Sequence, residues 1–269
     1  LRQILTRMEE GIYLIDPASA AKDQLGIDLD SWQKDVITTL LRGEKKKVSI
    51  RAGHGCGKTK LAAIITHIFL NNYPGSRVLI TGPTSRQTRL QVWGYMNEVW
   101  QNNFLRDKIE WLKTKMYIKG YEESWFAAWV TSKNPKNAEG FHGENLLWII
   151  EEAKTVQDAV FEGIQGALSQ INNFIYISST CSVPHGYFYE THTSRTDMWD
   201  TFHIPSWKSP RVAPERIESW RKEWGEDNPI FQARVAAEFP DEDSHVIVPL
   251  SHLFRAVEDN DSEDIDFAA

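Results

Sequence analysis

The chain has 269 residues, 41% hydrophobic and 25% charged, values ordinary for a folded protein that exclude disorder over its whole length. Two cysteines rule out a disulfide framework and suit a reducing compartment. The formal net charge of −7 argues against a uniformly basic nucleic-acid binder, but residues 1–140 carry 21 Lys/Arg against 14 Asp/Glu and residues 141–269 carry 9 against 23, so a local basic surface is allowed.

Asp30–Gly43 reads as a helix, with Asp30 or Ser31 as its cap and Trp32, Val36, Ile37, Leu40 and Leu41 at helical spacing. Val48–Arg51 reads as a buried strand, followed by a glycine-rich turn and an apolar-periodic helix through Leu61, Ile64, Ile65, Ile68 and Phe69. Arg77–Thr81 is a second buried strand and Ser85–Phe104 a second helix. Met116–Lys119 and Trp125–Thr131 read as a hairpin, and Ser132–Gly143 as a polar turn region. Leu146–Ile150 is a third apolar strand, followed by a helix with Val160, Phe161, Ile164 and Leu168, then a strand at Phe174–Ser178. From about Pro205 the chain turns to proline-punctuated helices, Pro214–Gly225 and Asn228–Phe239, the latter with Asn228 as cap and Pro229 in its first position. Glu258–Asp266 holds six acids and no base and reads as solvated or disordered. Strands alternating with helices predict an α/β fold with a mainly parallel sheet.

The longest mostly apolar run, Leu61–Leu70, is half of the ~20 residues a spanning helix needs, so no membrane span is expected. The N-terminus has no secretory pattern. It begins with Leu, so a start upstream is expected. No Cys/His group has zinc-site spacing; His185 and His192 are too isolated to predict a metal site.

Ala52-Gly53-His54-Gly55-Cys56-Gly57-Lys58-Thr59 fits the phosphate-loop pattern. Small residues let successive backbone N–H groups curl around a phosphate, and the following helix points its N-terminus at the same anion. Lys58 would reach the β- and γ-phosphates and the Thr59 hydroxyl would ligate Mg²⁺. The turn lies between a predicted strand and a predicted helix, the context the mechanism needs. A thiol inside this loop predicts that alkylating Cys56 blocks nucleotide binding, with ATP protecting.

The strand Leu146–Ile150 ends in Glu151-Glu152. Adjacent acids at a strand end point in different directions. One can serve a metal and the other a water, so Glu151 is assigned to Mg²⁺ and Glu152 to general-base work. Two solvated glutamates opening a helix would be the plain alternative.

The order of motifs resembles the ATPase domain of a tailed-bacteriophage large terminase subunit, over roughly residues 25–250. The resemblance rests on Ser31-Trp32-Gln33 upstream of the phosphate loop, Thr81–Gln87 after the second strand, and Glu139–Gly143 before the acidic strand. Glu151-Glu152-Ala153 stands where the family has Asp-Glu-Ala. Ser178-Ser179-Thr180, Gly186–Tyr189 and Ala237–Pro240 complete the set. The resemblance implies a RecA-like core at 46–204, with lid segments at 1–45 and 205–256. It also implies Mg²⁺-dependent ATP hydrolysis that drives double-stranded DNA into a procapsid. Gln33 would read adenine, and Ser178, Ser179 and Thr180 would sense the γ-phosphate. Implied partners are DNA, a portal protein, a small terminase subunit and further copies in a ring. The implied place is the cytoplasm of the infected host and the procapsid portal, not the mature virion. Residues 257–269 would be an acidic linker toward a nuclease domain that this chain does not contain, so no nuclease activity is expected of it.

Two residues depart from the family pattern. Glu151 replaces Asp, one methylene longer, which raises the expectation of shifted metal geometry and impaired hydrolysis. His54 stands where some members carry a catalytic arginine. The missing charge would come from Arg51, Arg86 or Arg89, or from a neighbouring subunit. Lys45–Lys47, Arg86, Arg89 and Lys133–Lys136 are candidate DNA-backbone contacts, with steep salt dependence expected. Trp32 is a candidate to stack near adenine. A glutamine-motif helicase shares the loop and acid pair but would need a second RecA-like domain, which the helical region after Pro205 does not provide. A module that binds ATP and DNA without turnover is the other alternative.

Overall fold

The structure, a computed structural model, describes residues 2–83, 86–131 and 140–240. Lys133–Lys136, the side chain of Arg86 and the acidic stretch Glu258–Asp266 lie outside the described residues.

Helices α1 (Arg2–Glu9), α2 (Ile12–Ile15) and α3 (Pro17–Leu25) lead into α4 (Ser31–Arg42). Asp30 caps α4 in a capping box: its backbone N–H donates to Gln33 Oε1 at 3.0 Å. The predicted stripe of α4 is buried, with Val36, Ile37 and Leu40 fully enclosed. Strand β1 (Lys47–Ala52) runs into the glycine turn and α5 (Lys58–Asn72), which is buried continuously from Leu61 to Asn71. An all-round apolar helix of this kind belongs inside a protein. Then come β2 (Arg77–Thr81), α6 (Arg86–Gln101), β3 (Ile109–Trp111), β4 (Lys115–Ile118), β5 (Phe126–Trp129) and β6 (Asn145–Glu151). The rest comprises α7 (Asp158–Ala167), β7 (Asn172–Ser179), α8 (Gly186–Thr191), β8 (Asp200–Ile204) and α9 (Pro214–Trp224), then α10 (Pro229–Phe231), which continues as a π turn over Gln232–Ala236.

The strands form one eight-stranded sheet in the order β3-β4-β5-β2-β6-β7-β1-β8. All pairings from β5 to β8 are parallel, and β3-β4-β5 is an antiparallel meander at one edge. This is the expected α/β architecture. One apolar cluster joins α3–α6 to one face, including Leu25 and Val36 from the N-terminal helices. Another packs α7 and α8 on the other face around Trp148 and Phe161. Val212, Ile217, Phe231 and Val235 make a small third cluster after β8.

Several elements depart from expectation. The hairpin is a three-stranded meander, because β3 adds to it. The helix expected through Phe239 stops at Ala236, where Ala237 adopts a left-handed φ of 55°. Strand β8 and helix α8 have no counterpart among the expected elements. Lys45–Lys47, candidates for DNA contact, are half-buried and make contacts within the fold. Lys45 donates to the carbonyls of Thr196 and Trp199, Lys46 to that of Ile171, and Lys47 to Gln165.

Three histidines are held neutral by burial. His67 lies between Met96 O and Asn103 Nδ2, each at 3.0 Å, and burial pulls its pKa down to about 4. Burial also brings His54 to about 4 and His192 to about 3. The unfolded chain binds protons on these rings below about pH 6.5 and the folded chain does not, so stability should be full above that pH and fall toward pH 4. Each ring contributes a loss of at most about 1.4 kcal/mol per pH unit across that window. Urea melts at pH 7 and pH 5 check this; an unchanged midpoint would refute it.

Candidate functional site

The carboxyl ends of β6, β7 and β1 lie side by side, with Glu151 opposite Ser178 and Arg51 opposite Ser179 in register. Ligands of open α/β sheets bind at this edge. The loop after β1 curls over it and α5 starts at Lys58 directly beyond. Gly57, with φ +86°, makes the turn into the helix; a Cβ there would sit 3.3 Å from Arg211.

The residue pairs converge on this edge. Thr59 Oγ1 donates to Glu151 Oε2 and Ser178 Oγ donates to Glu151 Oε1, both at 2.8 Å. Glu151 is 1% exposed. Burial raises its pKa, and Lys58 with the two hydroxyls opposes that rise. The Glu151 side chain reaches both hydroxyls at once. Glu152 points the other way. It adopts a left-handed conformation with φ 51°, strained for a residue with a Cβ. Its Oε1 lies 3.2 Å from Lys58 Nζ. Burial pushes the Glu152 carboxyl up, but Lys58 and Lys154 together hold it below its ordinary value. Burial alone would depress Lys58; Glu152 and then Glu151 raise it instead, so it stays charged. Ser179 Oγ donates to Glu152 Oε2 at 3.4 Å, and Thr180 accepts from Lys154 Nζ.

The segment after β8 fastens the loop. The Gly53 N–H donates to Ile204 O at 2.9 Å and the His54 N–H to Arg234 O at 2.6 Å. Ser206 Oγ donates to His54 O at 3.0 Å. A Cβ on Gly53 would lie 2.4 Å from Ser206 Oγ, so only glycine fits this close approach. Arg211 Nε donates to Asp30 Oδ2 at 3.1 Å and closes the other flank. A cavity of about 370 Å³ opens along the loop, lined by Gly55, Lys58, Thr59, Gln91, Tyr95 and Arg211 among others.

The remaining sequence candidates are placed as follows. Gln33 lies behind Gly57, its Nε2 buried and without a hydrogen-bond partner while Oε1 serves the α4 cap. Trp32 is buried in the main core cluster. His54 is neutral: burial lowers it first, and Lys58, Arg234 and Lys154 add to that. Arg51 lies beside Phe239 and pairs with Glu238, away from the cavity. Arg89 is half-buried on α6. Cys56 is 1% exposed, and burial pushes its thiol up to about 11. A buried thiol with so little thiolate is inert. The expected alkylation block is therefore revised: iodoacetamide under native conditions should leave Cys56 unmodified with or without ATP, and react after denaturation. Rapid native labelling seen by mass spectrometry would refute this. Lys154, Ser206, Arg211 and the Arg234 carbonyl are absent from the sequence reading; only Lys154, two residues past the acid pair, offers a local signal.

The donor set fits a nucleotide with Mg²⁺. An unpartnered Gln33 amide, a charged lysine at a helix N-terminus, and a hydroxyl–carboxylate pair are the groups such a ligand needs. Among the described residues no cluster of three or more His, Cys, Asp or Glu is placed to hold a metal alone. No helix among them is long and apolar enough to cross a membrane.

No protein-family model matches the chain. It is 29% identical over 255 residues to a probable terminase large subunit of Enterobacteria phage P7, covering 88% of this chain and 51% of the relative. The chain thus spans about half the length of the curated relative it matches. Among solved structures, the large terminase of a thermophilic bacteriophage superposes with a TM-score of 0.64 at 10% identity, over 80% of this chain and 54% of that one. The same protein in complex with ADP gives a TM-score of 0.61 at 10% identity, over 79% of this chain and 54% of that one. The large terminase ATPase domain of Thermus phage P74-26 gives 0.57 at 20% identity, over 80% of this chain and 95% of that one. The chain is thus similar in sequence to a phage large terminase and has the fold of large-terminase ATPase domains.

Proposed function

We propose that this chain is the ATP-hydrolysing portion of a phage large terminase, and that hydrolysis drives double-stranded DNA into a procapsid. The observation that carries the reading is the convergence of Lys58, Thr59, Glu151, Glu152 and Ser178 on one sheet edge. The loop amides and the N-terminus of α5 would cradle the phosphates of ATP. Lys58, now paired with Glu152, would turn to the β- and γ-phosphates. Thr59 and Glu151 would hold Mg²⁺, which when bound neutralises phosphate charge. Glu152, ionised at neutral pH, would take the proton of the water that attacks the γ-phosphorus, with ADP as leaving group. Ser178, Ser179 and Thr180 would report the γ-phosphate to β7, and the Gln33 amide would meet adenine.

The neutral His54 supplies no transition-state cation. Arg51 and Arg211 are already paired with Glu238 and Asp30, which favours an arginine from a neighbouring copy in a ring. The ring, the portal, the small subunit and the procapsid location are part of this proposal, as is a backbone grip on DNA that weakens steeply with salt.

The test is phosphate release from Mg²⁺-ATP per chain at rising protein concentration, with chelation of Mg²⁺ as the control. Metal-dependent turnover is expected, with specific activity that rises as copies meet. No turnover at any concentration, with DNA present, would overturn the reading.

A further inference from the structure

We propose, on the hydrolytic reading above, that Lys154 is a positioning residue: it holds Glu152 when Lys58 leaves for a phosphate, and ties that position to Thr180 at the end of β7. Lys58 cannot serve two anions fully. Its 3.2 Å contact with Glu152 must loosen when phosphates enter. A partly exposed carboxylate released by its nearer cation swings out of place unless a second group holds it. Glu152 does not face that loss alone. Lys154 Nζ lies 3.8 Å from its other oxygen, on a side chain 18% exposed. The left-handed backbone at Glu152 reverses the chain, and the short helical turn Ala153–Thr155 then brings residues 152 and 154 together. Lys154 is itself fixed from two directions. Its ammonium donates to Thr180 Oγ1 and its backbone N–H to Ser179 Oγ at 3.4 Å. Ser179 in turn donates to Glu152, so the three residues form a closed loop of contacts. The loop spans the end of β6 and the end of β7. A shift of Glu152 is therefore felt at Thr180 without any contact from the nucleotide.

The test is a double-mutant cycle on binding of a fluorescent ATP analogue, joined to kcat and KM for phosphate release. Lys154→Met should weaken binding about threefold or more, because Glu152 then holds Lys58 more firmly against the phosphates. In a Glu152→Gln background the same substitution should change binding by less than about twofold. The kcat of phosphate release should fall by about tenfold in Lys154→Met and recover in Lys154→Arg, as misplacing a catalytic group predicts. Thr180→Val, nearly the same shape, should lower kcat by less, and serves where Lys154→Met melts early. Equal weakening in both backgrounds would overturn the proposal, since Lys154 would then act on the phosphates directly. An unchanged kcat in Lys154→Met would overturn it as well. A wild-type chain that fails to bind the analogue would instead bring down the hydrolytic reading, and this proposal with it.

Discussion

Replacing Glu152 with Gln should lower phosphate release by roughly 10²–10⁴-fold, the usual weight of a general base. Nucleotide binding should be retained or tightened. The reason is the pairing of Glu152 with Lys58, which the incoming phosphates must displace. Gln keeps the size and loses the charge, so the competing anion disappears. Lys58 is then free of its main partner before the ligand arrives. Equilibrium binding and single-turnover hydrolysis, measured on the same preparation, separate the two effects. A variant that binds more weakly and still turns over would show that Glu152 is not the base.

The second large effect concerns Glu151. Its sequence raises the expectation that Glu in place of the family's Asp impairs metal geometry. The two 2.8 Å contacts, from Thr59 and from Ser178, give Glu151 a reason for its length. Glu151→Asp would draw a buried carboxylate back by one methylene and break at least one of them. An unsatisfied buried partner costs about 1–3 kcal/mol, which is roughly tenfold or more in any equilibrium that depends on it. Because Thr59 and Glu151 are the groups proposed to hold Mg²⁺, the withdrawn carboxylate should lower turnover and raise the Mg²⁺ concentration for half-maximal rate. A titration of rate against Mg²⁺ decides this. Equal or faster turnover in Glu151→Asp would mean that the family's shorter acid suits this site too.

Much of the candidate site is legible because its signals are local. The phosphate loop is eight consecutive residues, and the acid pair closes an unbroken apolar strand. The helices α4 and α7 carry apolar positions at helical spacing, α5 is mostly apolar throughout, and all three form. What escapes has no local signal. Strand β8 reads Asp-Thr-Phe-His-Ile, a polar edge strand with only Ile204 buried, so it lacks the apolar run that betrays its neighbours. Strand β3 is three residues long and exists only through β4. Ser206 and Arg211 gain their roles from topology, which brings them to residues 54 and 30, separated by 152 and 181 positions in the chain. No spacing rule spans such a distance. The pairing of Lys45–Lys47 with groups inside the fold is hidden for the same reason. A lysine run looks solvated until the strands beside it are placed.

That long-range fastening has a consequence for synthesis. The candidate phosphate loop leaves the ribosome well before Ile204, Ser206 and the Arg234 carbonyl that close it. Contacts of such high sequence separation form late, because the intervening chain must be ordered first. The nascent chain therefore carries a loop with unfastened amides until the segment from Ile204 to Arg234 emerges. Competence to hold a nucleotide would therefore arrive only once the segment through Arg234 has been made, well after the loop itself.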